Sequence, residues 1–453
     1  MLDAGAPRAL DAATPALDAG DEASDEAGAD ASRAPSTVAL RDLVGLSDHP
    51  ALGTDVASVN ERAFEWSKLA ELGVHRLRTD FDWSQIEAQK GTFVFTPYDT
   101  LVADATAHDV DVLGILDYGV PWATSASGAD EYYPPDDPDD FATFAGAVAM
   151  HFLGTVHNYE VWNEPNNGLS FWKPTLTGDP AKYGALLADA TSAVLAAAPT
   201  ANVAYGGTVY DYLTTGPDFV AQSFQANAGL AAGLGTFAMH AYEKYPPASA
   251  PESAAGEEPL PTKVTTMSSL LAAAGAKPAP LWITEIGWPT TDADPPAQQA
   301  RYTVRAVLLA ALAGADRVYL YTLLDGPNPT ASPPEDAFGL VSYQADWADG
   351  GAPADKPSFV ALKAILGAVG AYAVTGRLAA TPADVYLVEL VDPAGTKGWV
   401  AWRSLDGVPA ASVTVPATGD ITVTQVDGTT LDDTANGAYV VQVGPDPVAI
   451  TAR

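Results

Sequence analysis

The sequence has no cysteine, so thiol nucleophiles, thiolate metal sites and disulfides are all excluded. Positive charge is also scarce: 22 Lys and Arg stand against 57 Asp and Glu, a formal net charge of −35. Such a surface repels nucleic acid phosphates and anionic lipid but does not penalise a neutral ligand. Nucleic acid is therefore not an expected partner. No apolar run reaches the length of about 18 residues that a membrane helix needs, so no integral membrane segment is expected. The six histidines (His49, His75, His108, His151, His157 and His240) are scattered, and no pair has the spacing of helix-borne metal ligands. No glycine-rich phosphate loop and no nucleophile elbow occurs, and neither a metal nor a cofactor is expected. The Gly206-Gly207 pair reads as a tight turn between a strand and a helix.

What is present begins with an acidic, alanine-rich stretch. Met1 to Thr37 contains no aromatic residue and no Val or Ile, too little apolar surface to offset its chain entropy. It reads as a disordered tether, of the kind that follows an export or lipid-anchor signal. A secreted or cell-surface location is expected on that basis, with a lipid anchor possible through a removed N-terminal signal.

From Val38 the chain alternates short apolar runs with longer segments of helical spacing, the pattern of repeated βα units. Eight strands are expected, near Leu43 to Leu46, Val74 to Thr79, Val110 to Leu116, Thr155 to Trp162, Val203 to Gly207, Thr236 to His240, Pro280 to Glu285 and Arg317 to Tyr321. The clearest helices are Asn60 to Leu72, Asp139 to Phe152, Pro180 to Ala197, Pro295 to Ala313 and Lys356 to Gly367. Several open on Asp or Pro, as helix starts do. Past about Ala371 the apolar period falls to two, in VYLVELV, WVAWRS, ASVTVPA, ITVTQV and AYVVQV, between turn signals. The expected architecture is α/β: a (β/α)₈ barrel over residues 38–370, followed by a small antiparallel β-sandwich over 371–453.

In a parallel barrel the active site gathers where the strands end. Two glutamates meet that condition: Glu164 follows the fourth strand in YEVWNEPN and Glu285 closes the seventh in LWITEIGWP. Cleaving a glycosidic bond takes one carboxyl to protonate the leaving oxygen and a second to attack or stabilise the sugar. Glu160, four residues before Glu164, falls inside the strand and reads as a buried network residue.

WNEPN together with a Glu after strand seven resembles the superfamily of retaining glycosidases. Within it the chain is most similar to glycoside hydrolase family 39, through GVHRLRTDFDW, IEAQKGTFVFTPYD, YEVWNEPN, and DAFGLV followed by KPSFVALKAI. The resemblance runs from about Arg41 to the end. It implies that Glu164 is the acid/base, that Glu285 is the nucleophile and that Asn163 binds the sugar 2-hydroxyl. Arg78 would hold Glu285 as a carboxylate, with Arg76 and Arg305 as alternative partners. His240 and Tyr242 would line the site, Tyr242 hydrogen-bonded to the nucleophile. The eighth strand departs from the family: where relatives place a Trp platform, this chain has Tyr319, Leu320 and Tyr321, and Tyr321 is the expected substitute. Trp83, Tyr118, Trp122, Trp172, Tyr210, Tyr212 and Trp288 also follow strands and could stack on sugar faces. Trp172, Trp288 and Tyr118 are favoured.

The expected function is retaining hydrolysis of a β-linked oligo- or polysaccharide by a monomer. The alternatives are a carbohydrate-binding surface protein without turnover, and a transglycosylase using the same covalent intermediate.

Overall fold

Each of the eight apolar runs forms a parallel strand. In a computed structural model they close into a barrel in the order β1 to β8. The structure describes residues 33–211, 216–242, 246–252, 258–276, 279–293, 295–331, 333–351, 353–433 and 439–452. The strands are β1 (Val44–Ser47), β2 (Arg76–Asp82), β3 (Asp111–Asp117), β4 (Asn158–Asn163), β5 (Asn202–Val209), β6 (Thr236–His240), β7 (Leu281–Ile286) and β8 (Arg317–Tyr321). Closure comes from β1 pairing with β8, Val44 opposite Val318 and Ser47 opposite Tyr321.

A long helix follows each strand: α1 (Val56–Leu72), α2 (Thr96–Ala107), α3 (Pro138–His151), α4 (Pro180–Ala197), α5 (Gly216–Ala226), α6 (Leu260–Ala273), α7 (Pro296–Leu312) and α8 (Pro357–Val369). Their starts are written locally. Asp55 and Asp179 each accept two amide hydrogens at the head of α1 and α4, and Asp137 caps α3, satisfying donors that a helix start leaves orphaned. Among the described residues, no helix is long and apolar enough to cross a membrane.

The period-two segments form β9 (Ala373–Leu378), β10 (Val385–Val391), β11 (Lys397–Arg403), β12 (Ala411–Val415), β13 (Ile421–Thr424), β14 (Thr430–Asp433), β15 (Tyr439–Val443) and β16 (Val448–Ala452). Six of them make an antiparallel sheet in the order β14-β13-β16-β11-β10-β9, and β12 pairs with β15. Both faces of the larger sheet are apolar. On β10, Val385 and Leu387 pack toward the β12–β15 ribbon, whereas Val388 and Leu390 join the barrel's own core. Alternation of side chains along a strand produces this division.

Contacts between barrel and β-domain are specific. Glu252, buried in the segment after β6, accepts from Trp402 Nε1 on β11, and Arg305 on α7 donates to the carbonyls of Arg403 and Pro445. At the other end of the chain, the last residues of the expected tether are part of the fold. Arg33 pairs with Asp316 at 2.8 Å and the Ser36 amide donates to Ala311 at 2.7 Å. Polar backbone and a guanidinium attach this stretch, so its lack of apolar side chains was a poor guide. The remainder, Met1 to Ser32, lies outside the described residues.

Candidate active site

β2 carries Arg78 as its third residue, a buried guanidinium at 1% exposure with four partners. It bonds Glu160 through both carboxylate oxygens (2.8 and 3.2 Å), Asn163 Oδ1 (2.9 Å), Ser47 Oγ (3.0 Å) and Glu285 Oε1 (2.7 Å). A planar fork of donors can serve several acceptors in this way, where an ammonium could not hold the same geometry. Glu160 is fully buried and also accepts from the Gly207 amide, as a network residue should. Arg305 binds the β-domain instead, so Arg78 is the partner of Glu285.

The end of β4 is where the chain turns its acid toward the cavity. Trp162 (φ 68°) and Glu164 (φ 46°) both adopt left-handed backbone, which costs a non-glycine residue free energy and persists where surroundings enforce it. Glu164 is held at both oxygens: Oε1 lies 2.8 Å from His240 Nδ1, and Oε2 accepts from Asn167 Nδ2 at 2.9 Å. His240 also lies 3.6 Å from Glu285 Oε2. One carboxylate atom of Glu164, one of Glu285 and a nitrogen of His240 lie within 4.8 Å of one another. Such a trio could offer ligands to a cation, but the Arg78 guanidinium already supplies positive charge at Glu285.

Gly206 and Gly207 lie inside β5, where the pairing with β6 slips register between Tyr205 and Thr208. They do not form the expected turn. A Cβ on Gly207 would come 2.0 Å from His240 Nε2, so glycine here admits the imidazole beside the acid.

Together these groups line a cavity of about 660 Å³, within the size range of small-molecule sites. Arg78, Asn163, Glu164, Glu285, Tyr118, Tyr242 and Tyr321 all face it. Asn163 Nδ2 donates to the Tyr118 hydroxyl at 3.1 Å, Tyr118 stacks on Phe171, and Tyr321 packs edge-on against Phe338. Tyr242 departs from expectation. Its hydroxyl has no hydrogen-bond partner among the described residues, because the Glu285 oxygens are directed at Arg78 and His240.

Two favoured tryptophans are not platforms. Trp172 is 1% exposed and packs on Trp162 and Tyr183; Trp288 is 6% exposed, with Nε1 donating to Ser249 O. Both rings are enclosed in the layer between strands and helices, where no sugar can reach a face. Trp83 is likewise core, Trp122 bonds Glu87 O, Tyr210 bonds Glu258, and Tyr212 lies outside the described residues.

Sequence reading missed several cavity residues: His49, Asp80, Tyr132, Asn167, Phe171, Asp211 and Glu335. Strand-end position could have flagged His49 and Asp80, two residues beyond Ser47 and Arg78. They form a pair at 3.2 Å. Asp80 raises the imidazole to a pKa of about 9. Burial works against the charge on Asp80, but His49 and Arg78 outweigh it and hold the carboxyl below its ordinary value. Asp117 beneath them is pushed well up, by burial first and then by Asp80.

No family model matches the sequence, and no curated protein is detectably similar to it. Solved structures are similar across almost the whole chain. A family 39 glycoside hydrolase from the gut symbiont Bacteroides cellulosilyticus WH2 superposes with a TM-score of 0.73 at 20% identity, over 91% of this chain and 81% of that one. The fold is that of family 39 glycoside hydrolases. A monomeric beta-xylosidase from Caulobacter crescentus CB15 gives 0.64 at 17% identity, over 93% and 98% of the two chains. The catalytic domain of the family 30 xylanase C from Talaromyces cellulolyticus gives 0.61 at 12%, over 93% and 99%. The family 39 fold thus extends through the C-terminal β-domain as well as the barrel.

Proposed function

We propose that this protein is a retaining glycoside hydrolase acting on a β-linked oligo- or polysaccharide, with Glu285 as nucleophile and Glu164 as acid/base. The observation that carries the reading is the opposition of the two carboxyl groups, with facing atoms within 4.8 Å. Retaining enzymes hold their carboxyls about 5 to 5.5 Å apart, whereas an inverting pair leaves roughly 6.5 to 9.5 Å to admit a water between. The solved structures of similar fold support it, since they include a glycoside hydrolase, a beta-xylosidase and a xylanase.

In this mechanism Arg78 holds Glu285 by Oε1, leaving Oε2 to attack the anomeric carbon. The bond to the leaving oxygen breaks as Glu164 gives it a proton, and a glycosyl ester forms on Glu285. Glu164, now a carboxylate, then takes a proton from water, which attacks the same carbon and frees Glu285. His240 and Asn167 fix the direction of the Glu164 carboxyl through both steps. The acidic N-terminal segment is the basis for placing the protein outside the cytoplasm or at the cell surface, and fractionation of producing cells tests that location.

The mechanism is tested on a panel of aryl β-glycosides and polysaccharides, with the first-formed anomer read by NMR. Wild type releases product of retained configuration and Glu285→Ala none. Glu164→Ala still turns over substrates whose leaving group needs no proton. An inverted product, or a loss below about tenfold for Glu285→Ala, overturns the assignment.

A further inference from the structure

We propose that the cavity selects sugars without negative charge, so that uronides and sulfated glycosides are rejected in favour of neutral ones. The inference rests on the reading of the cavity as a glycoside site. Besides the catalytic pair, it is faced by Asp80 in the second half of β2, Asp211 just past β5 and Glu335 in the segment after β8. The charge of Asp80 is matched by His49 at 3.2 Å, so the negative field at a ligand comes from Asp211 and Glu335, which stand on separated parts of the barrel mouth.

No free cation opposes that field among the described residues. Arg78 and His49 are the basic side chains that face the cavity. Arg78 is buried, with its donors directed at Glu160, Asn163, Ser47 and Glu285. His49 is paired with Asp80 at 3.2 Å. A ligand carboxylate or sulfate would lose water and gain no counter-charge, the costly case for a buried ion. Hydrogen bonding points the same way. Ionised carboxylates only accept; sugar hydroxyls can donate to Asp80, Asp211 and Glu335, whereas an anionic substituent brings more acceptors. The overall charge of −35 further slows the approach of polyanions at low salt.

The test compares matched pairs that differ only at C6, such as 4-nitrophenyl β-glucoside with β-glucuronide and the corresponding galacto pair, in the full chain. The neutral member is expected to be favoured in kcat/KM by about 100-fold or more. Asp211→Asn combined with Glu335→Gln should narrow that ratio by roughly tenfold, the uronide gaining relative to its neutral partner. A uronide cleaved as well as its neutral partner overturns the proposal, and so does a ratio that the double variant leaves unchanged. Lys244→Ala is included because Lys244 lies outside the described residues; wild-type uronide cleavage that this variant abolishes overturns the proposal too. If neither member turns over, calorimetric binding of neutral and uronic oligosaccharides decides. Tighter binding of the neutral one then sinks the hydrolase reading and sustains this one, and tighter binding of the uronide sinks this one.

Discussion

The imidazole of His240 stands between the two carboxyl groups, its Nδ1 2.8 Å from Glu164 and 3.6 Å from Glu285. The ring is fully buried and sits against Gly207, so it cannot swing away from the acid. His240→Asn should lower kcat by roughly 10²-fold, the scale of a misplaced general acid, with a smaller change in KM. The pH–rate limb that reports Glu164 should also move. An unmoved limb would show that the ring only fills space.

Arg78 and Glu160 form a buried ion pair beside Glu285. Removing one partner of such a pair leaves an uncompensated charge and costs about 3 to 5 kcal/mol. Arg78→Leu should lower unfolding stability on that scale in denaturant melts and abolish turnover. Adding Glu160→Gln should recover part of the stability but none of the activity, because Glu285 still lacks its guanidinium.

The His49–Asp80 pair makes stability depend on alkaline pH. Attraction to Asp80 raises the folded imidazole to about 9, above its ordinary 6.5. Its contribution is therefore complete below pH 6.5 and is lost as pH rises through about 9. The side chain of His49 is 53% exposed, so solvent screens the effect and it will be small. Melting temperature followed from neutral to alkaline pH should fall more in wild type than in His49→Gln. Parallel curves would refute the coupling.

Deleting residues 1–32 should leave melting temperature and kcat/KM unchanged, whereas deleting 1–37 should not. The longer deletion removes the Arg33 ion pair with Asp316 and the Ser36 amide bond to Ala311, together worth roughly 1 to 2 kcal/mol. Thermal melts of the two truncations distinguish the cases, and equal melting temperatures would show that the attachment contributes nothing.

Much of the candidate site was legible because of one rule: polar residues toward the ends of apolar strands. That rule finds Glu164, Glu285, Arg78 and Asn163, since a strand's period and its end together fix where a side chain emerges. It also reaches His49 and Asp80. It fails for the aromatic wall. Phe171 and Tyr132 sit in loops that are joined by Lys173, which bonds Asp130 and donates its amide to the Tyr132 carbonyl, and by the contact of the two rings, all between segments some forty residues apart. Trp172 is next to Phe171 in sequence and yet faces the core.

Local periodicity and strand order are enough to specify the barrel, the period-two domain and the opposition of Glu164 to Glu285. Tertiary structure alone decided which aromatics face the cavity, that Arg33 is part of the fold, and that no free cation among the described residues faces the cavity. Those outcomes depend on close packing and on charge pairing between segments distant along the chain, and neither is encoded in a local pattern.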